Sequence, residues 1–267
     1  DINKKAIEWV SKQKENFFLW LHYMDVHEPY APPEYENKNE MLYLATKYRD
    51  FPNKLNKQEI KKLEQLYDLS IKHTDKEINN LLRQLEKLGK LKDTIIIITA
   101  DHGEAFGEHN GILGHGGKFV EQLYEEVVHV PLIIYGYKEK NYTADKLVQN
   151  IDLAPTICEM AEIPIPPAFF GKSVFESSKT KEIIINSVVK IAYRTQRYKL
   201  IFDKKKENES EAYELYDLKN DKEEKNNIYK EKPKTSKKLT KDMINLLEKY
   251  RKKDKMLNID KYVKKQK

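Results

Sequence analysis

The longest periodic pattern of the chain runs through residues 56–88 and leads directly into its most β-prone segment. Apolar side chains recur there at spacings of three and four residues, which predicts one long amphipathic helix. Gly89 follows as a helix-ending residue, because glycine readily adopts the left-handed conformation. Residues 94–99, Thr-Ile-Ile-Ile-Ile-Thr, are all β-branched and predict a strand. Elements in this order favour an α/β fold with helices on the faces of a sheet.

Two further apolar segments extend the predicted sheet. Residues 17–21, Phe-Phe-Leu-Trp-Leu, show no alternation and predict a strand buried on both faces. Residues 130–135 predict a third strand. Strands separated by helices and long loops are typical of a mostly parallel sheet. Ligands bind outside the carboxyl ends of such strands, so the residues that follow these three segments are the place to look for chemistry.

The character of the chain changes near residue 178, where we place a domain boundary. Residues 1–178 are assigned to the α/β unit. In residues 179–267, short β-type runs separated by polar turns predict a small antiparallel sheet, and a basic helix follows around residues 238–255.

Composition excludes several classes of function. Residues 231–267 hold 14 Lys or Arg and 5 Asp or Glu, whereas the other 230 residues hold 35 and 38, so the net charge of +6 comes from one end. This end has no Gly-rich or aromatic-rich motif, so the pattern favours a solvated helix face, and no nucleic-acid partner is predicted. No apolar run reaches the ~18 residues of a membrane span. The single Cys158 excludes an intrachain disulfide. It also slightly favours a cytoplasmic location, although a truncated start would hide a leader.

The strongest candidate site is the motif at residues 100–104, Ala-Asp-His-Gly-Glu, after the isoleucine strand. The Asp101 carboxylate and the His102 imidazole suit a divalent cation such as Ca²⁺, Mg²⁺, Mn²⁺ or Zn²⁺. The alternative for these two residues is an Asp that caps the next turn beside a surface His.

Three more residues are candidates for contact with a substrate. His115 and Lys118 lie in a long glycine-rich loop, and an imidazole paired with an ammonium group suits a tetrahedral oxyanion. His27 follows the 17–21 segment and could protonate a leaving alkoxide. The alternatives are an ordinary solvated lysine at 118 and a structural histidine at 27.

Taken together, these segments resemble the sulfatases of the alkaline phosphatase superfamily. The resemblance keeps a consistent order over roughly residues 5–230 and rests on residues 22–33, 67–104, 114–118, 123–133, 152–156, 194–200 and 214–226. It implies an alkaline-phosphatase-like α/β fold and hydrolysis of a sulfate monoester, carried by a small molecule or a carbohydrate. By resemblance, Asp101 and His102 would ligate the cation, most often Ca²⁺. His27 would assist the leaving group, and His115 and Lys118 would contact the sulfate.

The resemblance leaves one large gap. The family makes its formylglycine nucleophile in a Cys/Ser-x-Pro-x-Arg motif, which these 267 residues lack, as they lack the aspartate pair of the family's first strand. We therefore expect a C-terminal portion of a sulfatase, inactive unless the missing segment is supplied. Such an incomplete sheet should self-associate or bind a partner. The alternatives are a phosphodiesterase or phosphoryl transferase of the same superfamily, and a non-catalytic remnant acting as an interaction module.

Overall fold

The computed structural model describes residues 2–109, 111–115, 122–137, 146–176 and 181–257, and the chain divides into two units. The first unit comprises residues 1–99, 104–114 and 131–139, and the second comprises residues 100–103, 115–130 and 140–267. The predicted domain ranges 1–178 and 179–267 stay a prediction, because their boundary falls on residues outside the described ranges. No described helix is both long and apolar enough to cross a membrane.

Three helices form most of the first unit: α1 (Ile2–Val10), α2 (Lys38–Asp50) and α3 (Lys57–Lys87). Helix α3 confirms the long helix predicted from periodicity. Asn56 caps it, since its side chain accepts the backbone N–H of Glu59 while the Glu59 carboxylate accepts the backbone N–H of Asn56. Gly89, at a φ of +67°, follows the last turn as expected.

The core of the first unit is small and partly aromatic. Leu63 and Leu66 of α3 pack with Leu44 of α2 and with Tyr30, and each of the four is at most 2% exposed. The stripe of apolar residues on α3 therefore stabilises the unit by burial against a neighbouring helix and a loop tyrosine.

The two predicted strands of the first unit are present as β1 (Ile96–Thr99) and β2 (Leu132–Tyr135). They pair antiparallel, with Ile96 opposite Tyr135 and Thr99 opposite Leu132. Parallel pairing of these two strands was therefore a wrong prediction. Antiparallel and parallel strands share the same apolar composition, so composition alone could not decide the direction.

The prediction of a buried strand at residues 17–21 is also wrong. The segment has no strand geometry, and the side chains of Phe18 and Trp20 are 72% and 79% exposed. A strand needs a hydrogen-bonded neighbour as well as apolar side chains, and no strand in the described part of the chain pairs with this segment.

The second unit confirms the predicted small antiparallel sheet and C-terminal helix. Its four strands pair in the order in which they follow one another along the chain, and a long helix comes after them. The elements are α4 (Glu125–Val128), α5 (Leu153–Met160), β3 (Glu182–Asn186), β4 (Lys190–Thr195), β5 (Tyr198–Asp203), α6 (Glu209–Ala212), β6 (Tyr213–Asp217) and α7 (Pro233–Leu257).

Both faces of the small sheet are covered, because successive side chains of a strand point to opposite faces. On one face, Leu200 of β5 packs with Leu239 and Met243 of α7. On the other face, its neighbour Ile201 packs with Tyr124, the residue that precedes α4. The sheet thus connects the C-terminal helix to the segment that carries α4.

The second unit also holds four charged side chains in close contact, which we call the ion network: Lys199 and Glu224 are buried, and Glu125 and Arg194 are half-buried. The fully buried Lys199 places its Nζ 3.2 Å from Glu125 and 3.1 Å from Glu224. Arg194 donates two hydrogen bonds to the Glu125 carboxylate, of 3.0 and 2.9 Å.

The two carboxylates of the ion network have opposite pKa shifts. Burial raises the pKa of Glu224 to about 7, against the attraction of Lys199. Burial acts in the same direction on Glu125, but the hydrogen bonds from Arg194 and the charges of Lys199 and Arg194 outweigh it and lower the pKa to about 2.

The ion network predicts a pH dependence of stability. Because the folded-state pKa of Glu224 lies above its ordinary value of 4.5, the folded chain binds this proton more tightly than the unfolded chain. Its contribution to the free energy of unfolding therefore falls as pH rises from about 4.5 to 7. The contribution of Glu125 is lost as pH falls from about 4.5 towards 2.

Urea unfolding of the native chain and of Glu224→Gln measures the upper part of this dependence. The stability of the native chain relative to the variant should decrease between pH 4.5 and pH 7. Glu223→Gln, at the exposed neighbouring position, is the control and should give a constant difference. A constant difference for Glu224→Gln as well would contradict the prediction.

A pair of leucines tests the core of the first unit. Leu66→Ala empties a site that is 1% exposed and should lower the free energy of unfolding by about 2–5 kcal/mol. Leu42→Ala makes the same change where the side chain is 67% exposed and should cost less than about 0.5 kcal/mol. Equal losses in urea denaturation would show that Leu66 is not the core residue described above.

Candidate active site

The turn that follows β1 lies directly against α4. Gly103 donates its backbone N–H to the carbonyl oxygen of Val127 at 2.7 Å. A Cβ atom at this position would overlap the carbonyl oxygen of Glu126, so only glycine permits the approach. At the start of the turn, the Asn150 side chain donates to the carbonyl oxygen of Ala100 at 3.1 Å. The turn is thus held at both of its ends.

Asp101 and His102 bring two metal-ligand atoms close together in this turn. Oδ1 of Asp101 lies 3.7 Å from Nε2 of His102. Nδ1 of His102 lies 2.8 Å from the carbonyl oxygen of Gly103. Because a carbonyl oxygen only accepts hydrogen bonds, this contact assigns the ring proton to Nδ1 and leaves the lone pair on Nε2. A carboxylate oxygen and an imidazole nitrogen in this arrangement can ligate one cation.

His115 lies beside this pair. Its ring stacks on that of His102, with the centroids 3.7 Å apart and the planes 24° from parallel. Two imidazole rings at this distance repel each other when both are positively charged imidazolium ions. A bound anion would offset that repulsion. Within one unit, the structure therefore brings together three of the five residues predicted for the site: Asp101, His102 and His115.

The other two predicted residues are placed differently. His27 belongs to the first unit, where its Nδ1 lies 2.7 Å from the carbonyl oxygen of Glu28 and 3.3 Å from the Glu28 carboxylate. Lys118 lies outside the described residues. Glu104, which ends the candidate motif, is buried in the first unit and accepts a hydrogen bond from the Tyr30 hydroxyl at 2.7 Å.

Sequence reasoning missed the contacts that hold the turn. It gave no role to Asn150, and it used Glu125 and Glu224 only as parts of a resemblance. One signal was available. Lys199 is a charged residue inside the apolar run 198–202, two residues before the buried Ile201 and therefore on the same face of the strand. A lysine at such a position needs a buried carboxylate as its partner.

Family models agree with the motifs. The model of the sulfatase family matches residues 1–163, and a model of the C-terminal part of N-sulphoglucosamine sulphohydrolase matches residues 115–253. The two matches together cover both the candidate site and the small sheet.

Individual relatives point to the same family. Arylsulfatase K of Bos taurus is 31% identical over 137 residues, which are 51% of this chain and 24% of that protein. The N-acetylglucosamine-6-O-sulfatase of Bacteroides thetaiotaomicron is 34% identical over 184 residues, covering 61% of this chain and 31% of that protein. The chain thus spans about a quarter to a third of the length of these relatives.

A solved structure supports the fold as well. A protein in complex with its substrate D-glucosamine-2-N,6-O-disulfate superposes with a TM-score of 0.62 at 28% identity, covering 80% of this chain and 46% of the other. The predicted α/β fold class is confirmed by this likeness, together with the observed small sheet and C-terminal helix. The model of the sulfatase family matches well over half of the residues of this chain, and the chain therefore belongs to the sulfatase family.

Proposed function

We propose that this chain contributes to the hydrolysis of sulfate monoesters on carbohydrates with the help of a divalent cation. The observation that carries the proposal is the grouping of Asp101, His102 and His115 in a sulfatase-family chain. The carbohydrate class is supported by two similar proteins. One is an N-acetylglucosamine-6-O-sulfatase, and the other has D-glucosamine-2-N,6-O-disulfate as its substrate.

Asp101 and His102 would hold the cation, for which Ca²⁺ is our first choice. Oδ1 of Asp101 is a typical ligand of a hard cation, and the lone pair on Nε2 of His102 would take a second position in the coordination sphere. The Asp101 side chain is 72% exposed, which leaves space for further ligands. When bound, such an ion neutralises negative charge on the ester and activates an oxygen nucleophile.

The remaining steps are assigned to side chains. His115 and Lys118 would donate hydrogen bonds to sulfate oxygens, on which negative charge must be stabilised in the transition state. As an imidazolium, which keeps the Nδ1 proton on the Glu28 carbonyl, His27 would give its second proton from Nε2 to the leaving alkoxide oxygen as the S–O bond breaks. The contact of its Nδ1 with the Glu28 carbonyl supports this role, because it fixes the orientation of the ring.

These 267 residues contain no Cys/Ser-x-Pro-x-Arg motif, so the nucleophile would come from another segment. We therefore propose that the isolated chain does not hydrolyse sulfate esters and that it associates with the missing segment or with itself. The exposure of Phe18 and Trp20 supports such an association, since exposed aromatic surface favours burial against a partner.

A chimera tests the proposed reaction. In it, this chain replaces the matching C-terminal part of the N-acetylglucosamine-6-O-sulfatase of Bacteroides thetaiotaomicron. The folded chimera should release sulfate from a sulfated glucosamine in a metal-dependent reaction, and the isolated chain should not. Asp101→Asn should lower kcat/KM by about 10- to 100-fold, because the metal binds more weakly. Asp93→Asn, at an exposed position in the same unit as α3, is the matched control.

Each contrary outcome is specific. Rapid, metal-dependent turnover by the isolated chain would contradict the partial-site proposal. A folded chimera that prefers phosphate esters would support the phosphodiesterase or phosphoryl-transferase alternative. A folded chimera without any hydrolase activity would support the non-catalytic alternative.

Binding can be tested without turnover. Adding Ca²⁺ to the 267-residue chain should shift the ring-proton NMR signals of His102, and Asp101→Asn should weaken the response because it removes the charged ligand. Asp93→Asn should leave the response intact. An unchanged response in Asp101→Asn would exclude Asp101 as a ligand.

A further inference from the structure

Helix α4 is too short to hold its own position. It has four residues and begins without a side-chain cap. Nucleating one helical turn costs more free energy than its few hydrogen bonds return. A helix of this length therefore needs contacts with other parts of the chain. The carbonyl oxygens of Glu126 and Val127 in this helix nevertheless form the surface against which Gly103 lies.

The ion network supplies those contacts at Glu125, the first residue of α4. The backbone N–H of Glu125 donates to the Glu224 carboxylate at 2.6 Å. The Glu125 carboxylate accepts hydrogen bonds from Arg194 of β4 and from Lys199 of β5. Both the backbone and the side chain of this residue are therefore tied to the small sheet and to Glu224.

Stability alone does not explain why this network is charged. Arg194 and Lys199 lie directly opposite each other in the β4–β5 register, an arrangement that is unfavourable for like charges. Apolar side chains of similar size would fill such a buried site at equal or lower cost in free energy. What apolar side chains could not supply is the directional contacts to both the N–H and the carboxylate of Glu125.

We propose that Glu125, Arg194, Lys199 and Glu224 are positioning residues, which hold α4 and thereby fix the turn that carries Asp101 and His102. The chain of contacts is continuous: from the small sheet to Glu125, along α4 to Val127, and from Val127 to Gly103. Its purpose in catalysis rests on the proposed function, but the geometry that it imposes does not.

The stacked His102 and His115 rings report this geometry. At a centroid distance of 3.7 Å, the ring current of each imidazole shifts the proton signals of the other. Histidine NMR spectra of the 267-residue chain therefore measure the placement of the turn without any requirement for activity. Methyl signals of Leu200 and Ile201 report in the same sample whether the small sheet keeps its native packing.

The central variant combines Lys199→Met with Glu224→Met. Above the pKa of about 7 that Glu224 has in the folded chain, it removes one positive and one negative charge together. The small sheet should stay folded, because a buried pair replaced by apolar residues leaves no lone charge. The mutual shift of His102 and His115 should be lost, since Glu224 no longer holds the first residue of α4. Glu223→Met, at the exposed neighbouring position, is the control and should keep the shift.

A second variant tests the other end of the same path. Gly103→Ala leaves the ion network intact but introduces a methyl group that overlaps the Glu126 carbonyl. The histidine shift should again be lost while the methyl signals of the small sheet remain native. This variant also serves if the double methionine variant fails to fold.

A folded double variant with the native histidine shift would overturn the positioning role, and so would a native shift in Gly103→Ala. These outcomes are independent of the chimera assay. An inactive chimera with the expected NMR changes would reject the proposed function and keep the positioning role.

Discussion

Gly103 donates its backbone N–H to the Val127 carbonyl across a gap that leaves no space for a Cβ atom. The close approach sets the path of the two residues before it, Asp101 and His102, and thereby brings a carboxylate oxygen within 3.7 Å of an imidazole nitrogen. Without the contact between Gly103 and α4, the side chains of two adjacent residues in a turn would be free to point apart. The candidate metal site thus depends on a contact between main-chain atoms.

Helix α4, which Gly103 contacts, is only one helical turn long. Its stability comes from contacts with other parts of the second unit. Tyr124 is buried on one face of the small sheet, while Glu125 reaches Arg194 and Lys199. The small sheet is packed against other elements on both of its faces. The small sheet of this chain is therefore connected through α4 to the candidate ligands, although it contributes none of them itself.

The predictions from sequence succeeded where the signal is local. The helix at residues 57–87 and the strands β1 and β2 follow from periodicity and β-branching, and the small sheet follows from short runs between polar turns. Predictions failed where a partner was required. The apolar segment 17–21 pairs with none of the described strands, and β1 pairs with β2 in the direction that composition could not distinguish.

The sequence by itself determined the residue types of the site, the glycine beside them, and membership of the sulfatase family, because these are properties of order and spacing along the chain. Only the tertiary structure decided that His115 stacks on His102 and that Glu104 accepts a hydrogen bond from Tyr30. It also decided that one buried lysine forms ion pairs with two carboxylates. The physical reason is that such contacts join residues far apart in the chain. Their free energy depends on burial and on distances between atoms, which no spacing of residues along a chain specifies.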